Sequence, residues 1–232
     1  MLLSGFTIIR NGTKFDFPFI ESIQSALPIV DEFIVNVGKG TEGDDTLEKI
    51  LALQKRLPRE EAKKLVIFES DWPLGSKEKR LGGQILADQT NLSLARCKGK
   101  FCLYLQADEV LHENDYDIIR KQLALVSSHE KIEAIVFQYV HFYGNYNVVQ
   151  TSRSSYRREI RIVRNNLGIV STGDAQSFRS KDGEKLTAVL TGARIFHYGW
   201  VRPQELMRQK TAFMDTLYHP GASEMQPATG NN

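Results

Sequence analysis

The chain has 232 residues, 41% hydrophobic and 25% charged, with 30 basic and 28 acidic side chains and a formal charge of +2. That apolar content excludes a disordered tail protein, and the near balance of charge excludes a nucleic-acid binder driven by Lys and Arg. The length suits one large domain or two small ones around a substantial core.

The opening segment, Met1 to Ile9, is apolar but short, lacks a basic n-region and a small-residue cleavage site, and is followed by Arg10. It reads as a first buried strand rather than a signal peptide, centred on FTIIR. Asn11-Gly12 marks a turn. Asp16 is the expected N-cap of a first helix, with Pro18 in its first turn and Phe19, Ile20, Ile23 and Leu27 at helical spacing. FIVNV, residues 33–37, predicts the second strand. A Gly-rich loop, 38–43, leads to a second helix carrying Leu47, Ile50, Leu51 and Gln54. A third strand is expected at 65–68. A third helix is expected from Gln84 to Cys97, opened by Gly82-Gly83. FCLYL, residues 101–105, is apolar on both faces, as a central parallel strand covered by helices requires. A fourth helix spans 115–125. This alternation predicts a parallel sheet with right-handed crossovers.

After Ile132 the texture becomes β-rich and aromatic. Strands are expected at 135–143, 156–163 and 193–198, and a last amphipathic helix at 203–218 with Leu206, Phe213, Met214 and Leu217 inward. The expected organisation is an α/β half, 1–131, and a β-rich half with the C-terminal helix, 132–218, in one continuous domain, with a flexible tail over 219–232. No apolar run reaches the roughly 18 residues of a membrane span, which leaves at most peripheral membrane association. Cys97 and Cys102 lack metal-ligand spacing and read as inert core thiols of a reducing, cytoplasmic compartment.

The informative spot is LQADE, residues 105–109. Read as the end of the central strand, this segment points Gln106 and Asp108 the same way. Ligands of open α/β sheets bind beyond the carboxyl ends of the strands, where a hard oxygen donor suits Mg²⁺ or Mn²⁺ carrying a phosphate. The competing reading is an acidic pair that caps the next helix.

Four segments in order carry a resemblance: FTIIRNG; VNVGKGTEGDDT, Val35–Thr46; QTNLSLARCKG, Gln89–Gly99; and LQADE. Together they resemble the first strand, nucleotide-base loop, N-x-a-x-x-x-A-x-G helix and D-x-D motif of family 2 glycosyltransferases. The resemblance covers Gly5 to Leu111; HFYG and RIFHYGW match more weakly. It implies a GT-A-like three-layer α/β/α sandwich with a mostly parallel central sheet and a smaller β-rich acceptor-side region. The chain departs from the pattern at Gln106, in place of the first Asp of D-x-D, and at Asn36, in place of the base-loop Asp.

The resemblance implies transfer of a sugar from a nucleotide-diphosphate donor to the hydroxyl of a glycan, lipid or protein acceptor, inverting and dependent on Mn²⁺ or Mg²⁺. It assigns Asp108 and His197 to the metal. It assigns Asp174 as catalytic base, with Glu109 as runner-up. Asn11, Asn36, Asp44, Arg80, Asn91 and Gln106 are expected to contact the nucleotide sugar. Arg161, Arg164, Arg202, Lys77 and Lys79 are further phosphate candidates. The aromatic stripe Phe137, Tyr139, Phe142, Tyr143 and Tyr146 is either core or acceptor platform. The Gln106 substitution equally suits a nucleotide-sugar-binding protein that has lost turnover. A phosphohydrolase or nucleotidyltransferase is disfavoured, because GxxxxGK[ST] is absent and no GxGxxG follows a strand.

Overall fold

A computed structural model describes residues 1–152 and 155–219. All but the first residue of the expected tail lies outside that range. The elements run β1 (Leu3–Ile9), α1 (Phe19–Ala26), β2 (Glu32–Gly38), α2 (Thr46–Arg56), α3 (Arg59–Ala62), β3 (Leu65–Ser70), α4 (Lys77–Arg80), α5 (Gln84–Leu94), β4 (Phe101–Tyr104), β5 (Glu109–Leu111), α6 (Tyr116–Ser127), β6 (Ala134–Tyr143), β7 (Asn145–Val149), β8 (Arg158–Arg164), β9 (Ile169–Ser171), β10 (Phe178–Ser180), β11 (Ala188–Trp200) and α7 (Gln204–Tyr218).

One curled sheet has the order β3-β2-β1-β4-β8-β6-β11-β5, with β7 beside β6; β9 and β10 form a separate hairpin. The first four strands in that order run parallel. β8 joins β4 antiparallel, so the sheet continues without a break into the later, β-rich segment. Every residue of β1 and β2 is buried. Strand alternation divides their side chains between two cores. Leu3, Ile9, Phe33, Val35 and Val37 pack against α1, α2 and α6. Phe6 and Ile34, on the opposite face, pack with Leu94 of α5, Tyr104 and Phe178. The result is the expected three-layer arrangement.

Several details differ from the sequence expectation. The cap position of α1 is held by Pro18, whose carbonyl accepts the Ser22 N–H at 2.9 Å, and Asp16 sits earlier at φ 52°. α5 stops at Leu94, three residues short of Cys97. β11 runs for 13 residues, because both its neighbours, β6 and β5, extend its hydrogen bonding beyond the short apolar stretch. Cys97 and Cys102 are buried and free. Hydrogen bonding to Cys102 and burial push the Cys97 thiol well above its ordinary range, which makes it unreactive. Among the described residues no helix is long and apolar enough to cross a membrane.

Candidate active site

β4 ends at Tyr104, and residues 106–109 turn instead of continuing the strand. The cause is Glu109. Its carboxylate accepts the Gln106 backbone N–H at 3.1 Å, and Gln106 O accepts the Glu109 N–H at 3.0 Å, which closes the turn. Glu109 is itself gripped by Arg161 of β8, from Nε at 2.9 Å and Nη2 at 2.8 Å, and accepts Tyr139 Oη at 2.7 Å. Both partners of this ion pair are fully buried. The runner-up base and one phosphate candidate are therefore spent on each other. Their function is to fix the turn that carries Asp108.

That turn opens onto a cavity of about 390 Å³ at the carboxyl ends of β1 and β4. Gln106, Asp108, Asp174 and His197 all line it. The remaining wall is largely apolar, from Phe15, Phe17, Trp72 and the inward face of α7. Asp108 is only 7% exposed, yet it borders this hollow. Its backbone carbonyl accepts the Tyr198 N–H at 2.8 Å, which ties the turn to β11.

His197 stands on β11 opposite His141 on β6. The two Nδ1 atoms are 2.9 Å apart, and His141 Nε2 lies 2.6 Å from the Tyr156 carbonyl. A carbonyl only accepts, so His141 carries its proton on Nε2, and His197 donates from Nδ1. His197 Nε2 then faces Asp108 Oδ1 at 3.8 Å. Burial lowers the His197 pKa, against the opposing pull of Asp108 and Glu109.

Asp108 has a closer partner. Lys210 of α7 places Nζ 3.1 Å from Asp108 Oδ2 and 2.9 Å from the Gly199 carbonyl. Burial pushes the Asp108 pKa up, but the charge of Lys210, with His197 and Arg202, outweighs it and brings the value down to about 2. Gly199 permits this packing. A Cβ there would lie 2.5 Å from His197 Cε1 and Nε2, and 3.0 Å from Asp108 Oδ2.

The metal implied by the sequence resemblance does not match these donors. Among the described residues no group of three or more His, Cys, Asp and Glu side chains could hold a metal ion. Asp108 and His197 are two donors, Gln106 adds no charge, and the nearest group to Asp108 Oδ2 is an ammonium.

The other expected residues are placed as follows. Asp174 caps the β9–β10 connection, its Oδ1 accepting the Gln176 N–H at 3.2 Å. Gly83, at φ 78°, lets that turn approach, since a Cβ would lie 2.8 Å from Asp174 Cα. Gln106 Nε2 is 3.5 Å from the Ala175 carbonyl. Asn36 lies away from the cavity wall: fully buried, it donates to Gln89 Oε1 at 3.0 Å and accepts from Ser70 Oγ, joining β2, β3 and α5. Asn11 Oδ1 accepts the Thr41 N–H at 2.8 Å, which joins the first two loops. Asp44 Oδ1 accepts from Thr46 Oγ1 at 2.7 Å. Asn91 makes two bonds to the Ser171 backbone, 2.9 and 2.7 Å. Arg80 donates to the Thr216 carbonyl at 3.2 Å. Arg164 bonds the carbonyls of Val126, His129 and Ile132 and so secures the end of α6. Lys79 pairs with Asp88, and Lys77 is exposed. In the aromatic stripe, Phe137 is core, Tyr139 serves Glu109, and Tyr143 and Tyr146 are exposed.

Lys210 and Trp72 did not figure in the sequence reading. Lys210 had a legible signal: it interrupts the inward stripe of α7, four residues after Leu206 and three before Phe213. Trp72 lines the cavity with a buried Nε1 that lacks a hydrogen-bond partner.

No protein-family model matches the chain, and no curated protein is similar to it in sequence. Solved structures do match. S. aureus TarS in complex with UDP-GlcNAc superposes with a TM-score of 0.50 at 15% identity, over 94% of this chain and 65% of that one. GalNAc-T7 with UDP, GalNAc and Mn²⁺ superposes with a TM-score of 0.51 at 11% identity, over 92% of this chain and 48% of that one. At such identities the likeness is one of fold, and the chain spans less than two thirds of either neighbour. The fold is the GT-A fold.

Proposed function

We propose that the protein is a glycosyltransferase that moves a sugar from a nucleotide-diphosphate donor to an acceptor hydroxyl with inversion. The observation that carries this reading is the cavity beside Asp108, at the strand ends where α/β sheets bind nucleotides, with a carboxylate at Asp174 in the same wall. The fold shared with structures that hold UDP-GlcNAc or UDP and GalNAc supports it. In this reading residues 1–131 contribute most of the donor side and residues 132–218 the acceptor side. The acceptor oxygen forms a bond to the anomeric carbon. The bond from that carbon to the diphosphate oxygen breaks, and its electron pair leaves with the nucleotide. The hydroxyl proton passes to the Asp174 carboxylate. Gln106 can hydrogen-bond a ribose or sugar hydroxyl, and the unpartnered Trp72 N–H offers a further donor in the wall. Nucleotide sugars and buried free thiols together suit a cytoplasmic setting.

One observation favours a second reading, nucleotide-sugar binding without turnover: Asp174 is already engaged by the Gln176 N–H and by the Tyr218 side chain. Incubation with UDP-, GDP-, CDP- and dTDP-sugars, with release of the nucleoside diphosphate as readout, separates the two. Turnover supports transfer; tight binding without release supports the second reading; neither binding nor release overturns both.

A further inference from the structure

We propose that Lys210 is a resident cation of this site, standing where a divalent ion would otherwise balance the donor's diphosphate, so that nucleotide binding is independent of metal. The inference rests on the donor-binding reading above.

Three features carry it. First, the ammonium is positioned by two acceptors, Asp108 Oδ2 at 3.1 Å and the Gly199 carbonyl at 2.9 Å. An ammonium has three N–H bonds, so one remains for a ligand oxygen, and Lys210 lines the cavity. Second, Arg202, only 7% exposed, feels the charge of the same carboxylate, and its Nε and Nη1 lack any hydrogen-bond partner. Buried guanidinium donors without partners are costly, and Arg202 packs on Phe17, which lines the cavity. Lys210 Nζ and the Arg202 guanidinium carbon each lie 4.8 Å from the Phe17 ring centroid, so one aromatic ring supports both cations. Third, Asp108 is already paired with the Lys210 ammonium, and Glu109 is neutralised by Arg161. A divalent ion entering at Asp108 would meet the ammonium and would have to displace it. A diphosphate meets complementary charge. The Asp in the D-x-D-like segment then acts as a positioning residue: it orients a lysine where the sequence pattern suggests it would bind an ion.

The test is calorimetric binding of UDP, GDP, CDP and dTDP to the full chain, in EDTA and in MnCl₂. The expected result is that at least one nucleotide binds with the same Kd in both. Lys210→Met should weaken that binding by about tenfold or more, and Lys210→Arg should keep it within about threefold. Because Lys210→Met leaves Asp108 unpaired, the double variant Lys210→Met/Asp108→Asn serves as a charge-balanced control; it should fold and bind as weakly as the single variant. A Kd that falls about tenfold on adding Mn²⁺ overturns the inference and leaves the transferase reading standing, as does undiminished binding by the folded Lys210→Met protein or by the double variant. Absence of binding by all four nucleotides under both conditions overturns the inference and the reading together.

Discussion

Arg161 grips Glu109 through two N–H···O bonds of 2.9 and 2.8 Å, and neither side chain is exposed. The pair reaches across 52 residues to lock the turn on which Asp108 sits. Removing one partner strands a buried charge. Arg161→Met should therefore lower stability by about 3–5 kcal/mol. Arg161→Met combined with Glu109→Gln should recover much of that loss, since no charge is left unpaired. Urea denaturation of the three proteins checks both statements.

Stability should also depend on pH through Asp108. Its folded pKa, about 2, lies below the ordinary 3.8. The unfolded chain therefore takes up the proton first. This contribution is fully present above 3.8 and is lost as pH falls from there through about 2. The shift corresponds to roughly 2 kcal/mol. Denaturation midpoints across that window should fall more steeply for the natural protein than for Asp108→Asn.

Gly199→Ala should disturb the site more than its size suggests. The new methyl would meet the His197 ring, which His141 holds from the other side at 2.9 Å. The expected cost is about 1–3 kcal/mol, with weakened nucleotide binding. A thermal melt and a nucleotide titration on the same sample measure the two effects.

Asp174→Asn should leave donor affinity almost unchanged and lower sugar transfer by about 10²–10⁴-fold. Single-turnover assays with a nucleotide sugar separate the two. Unreduced transfer in the variant would move the base to another group.

The layers of this fold were readable because β1, β2 and β4 are built of apolar residues with few exceptions, and helical periodicity marks α1, α2 and α6. The position of Asp108 was readable for a related reason: the polar residues that follow a fully buried strand emerge at its carboxyl end. Lys210 showed only its place in the inward stripe of α7; its role was hidden, because its partner lies 102 residues away and a lysine on an amphipathic helix ordinarily points to solvent. Asn36 misled in the opposite direction. It occupies a position resembling a base loop, but a fully buried amide must satisfy both its ends, and Gln89 and Ser70 do so within the fold. β5, β7 and the β9–β10 hairpin escaped sequence reading because segments of three to five residues carry too little periodicity to separate strand from loop.

β11 pairs His197 with both Glu109 and His141, and along this strand Ala193, Ile195, His197 and Gly199 are buried in alternation. A slip of one residue would keep most backbone bonds while turning Phe196 and Tyr198 inward and His197 out. Misthreaded molecules would then look native by circular dichroism, yet have a blind cleft. Titration of nucleotide-competent sites after refolding would count the correctly threaded fraction, which secondary-structure content alone overestimates.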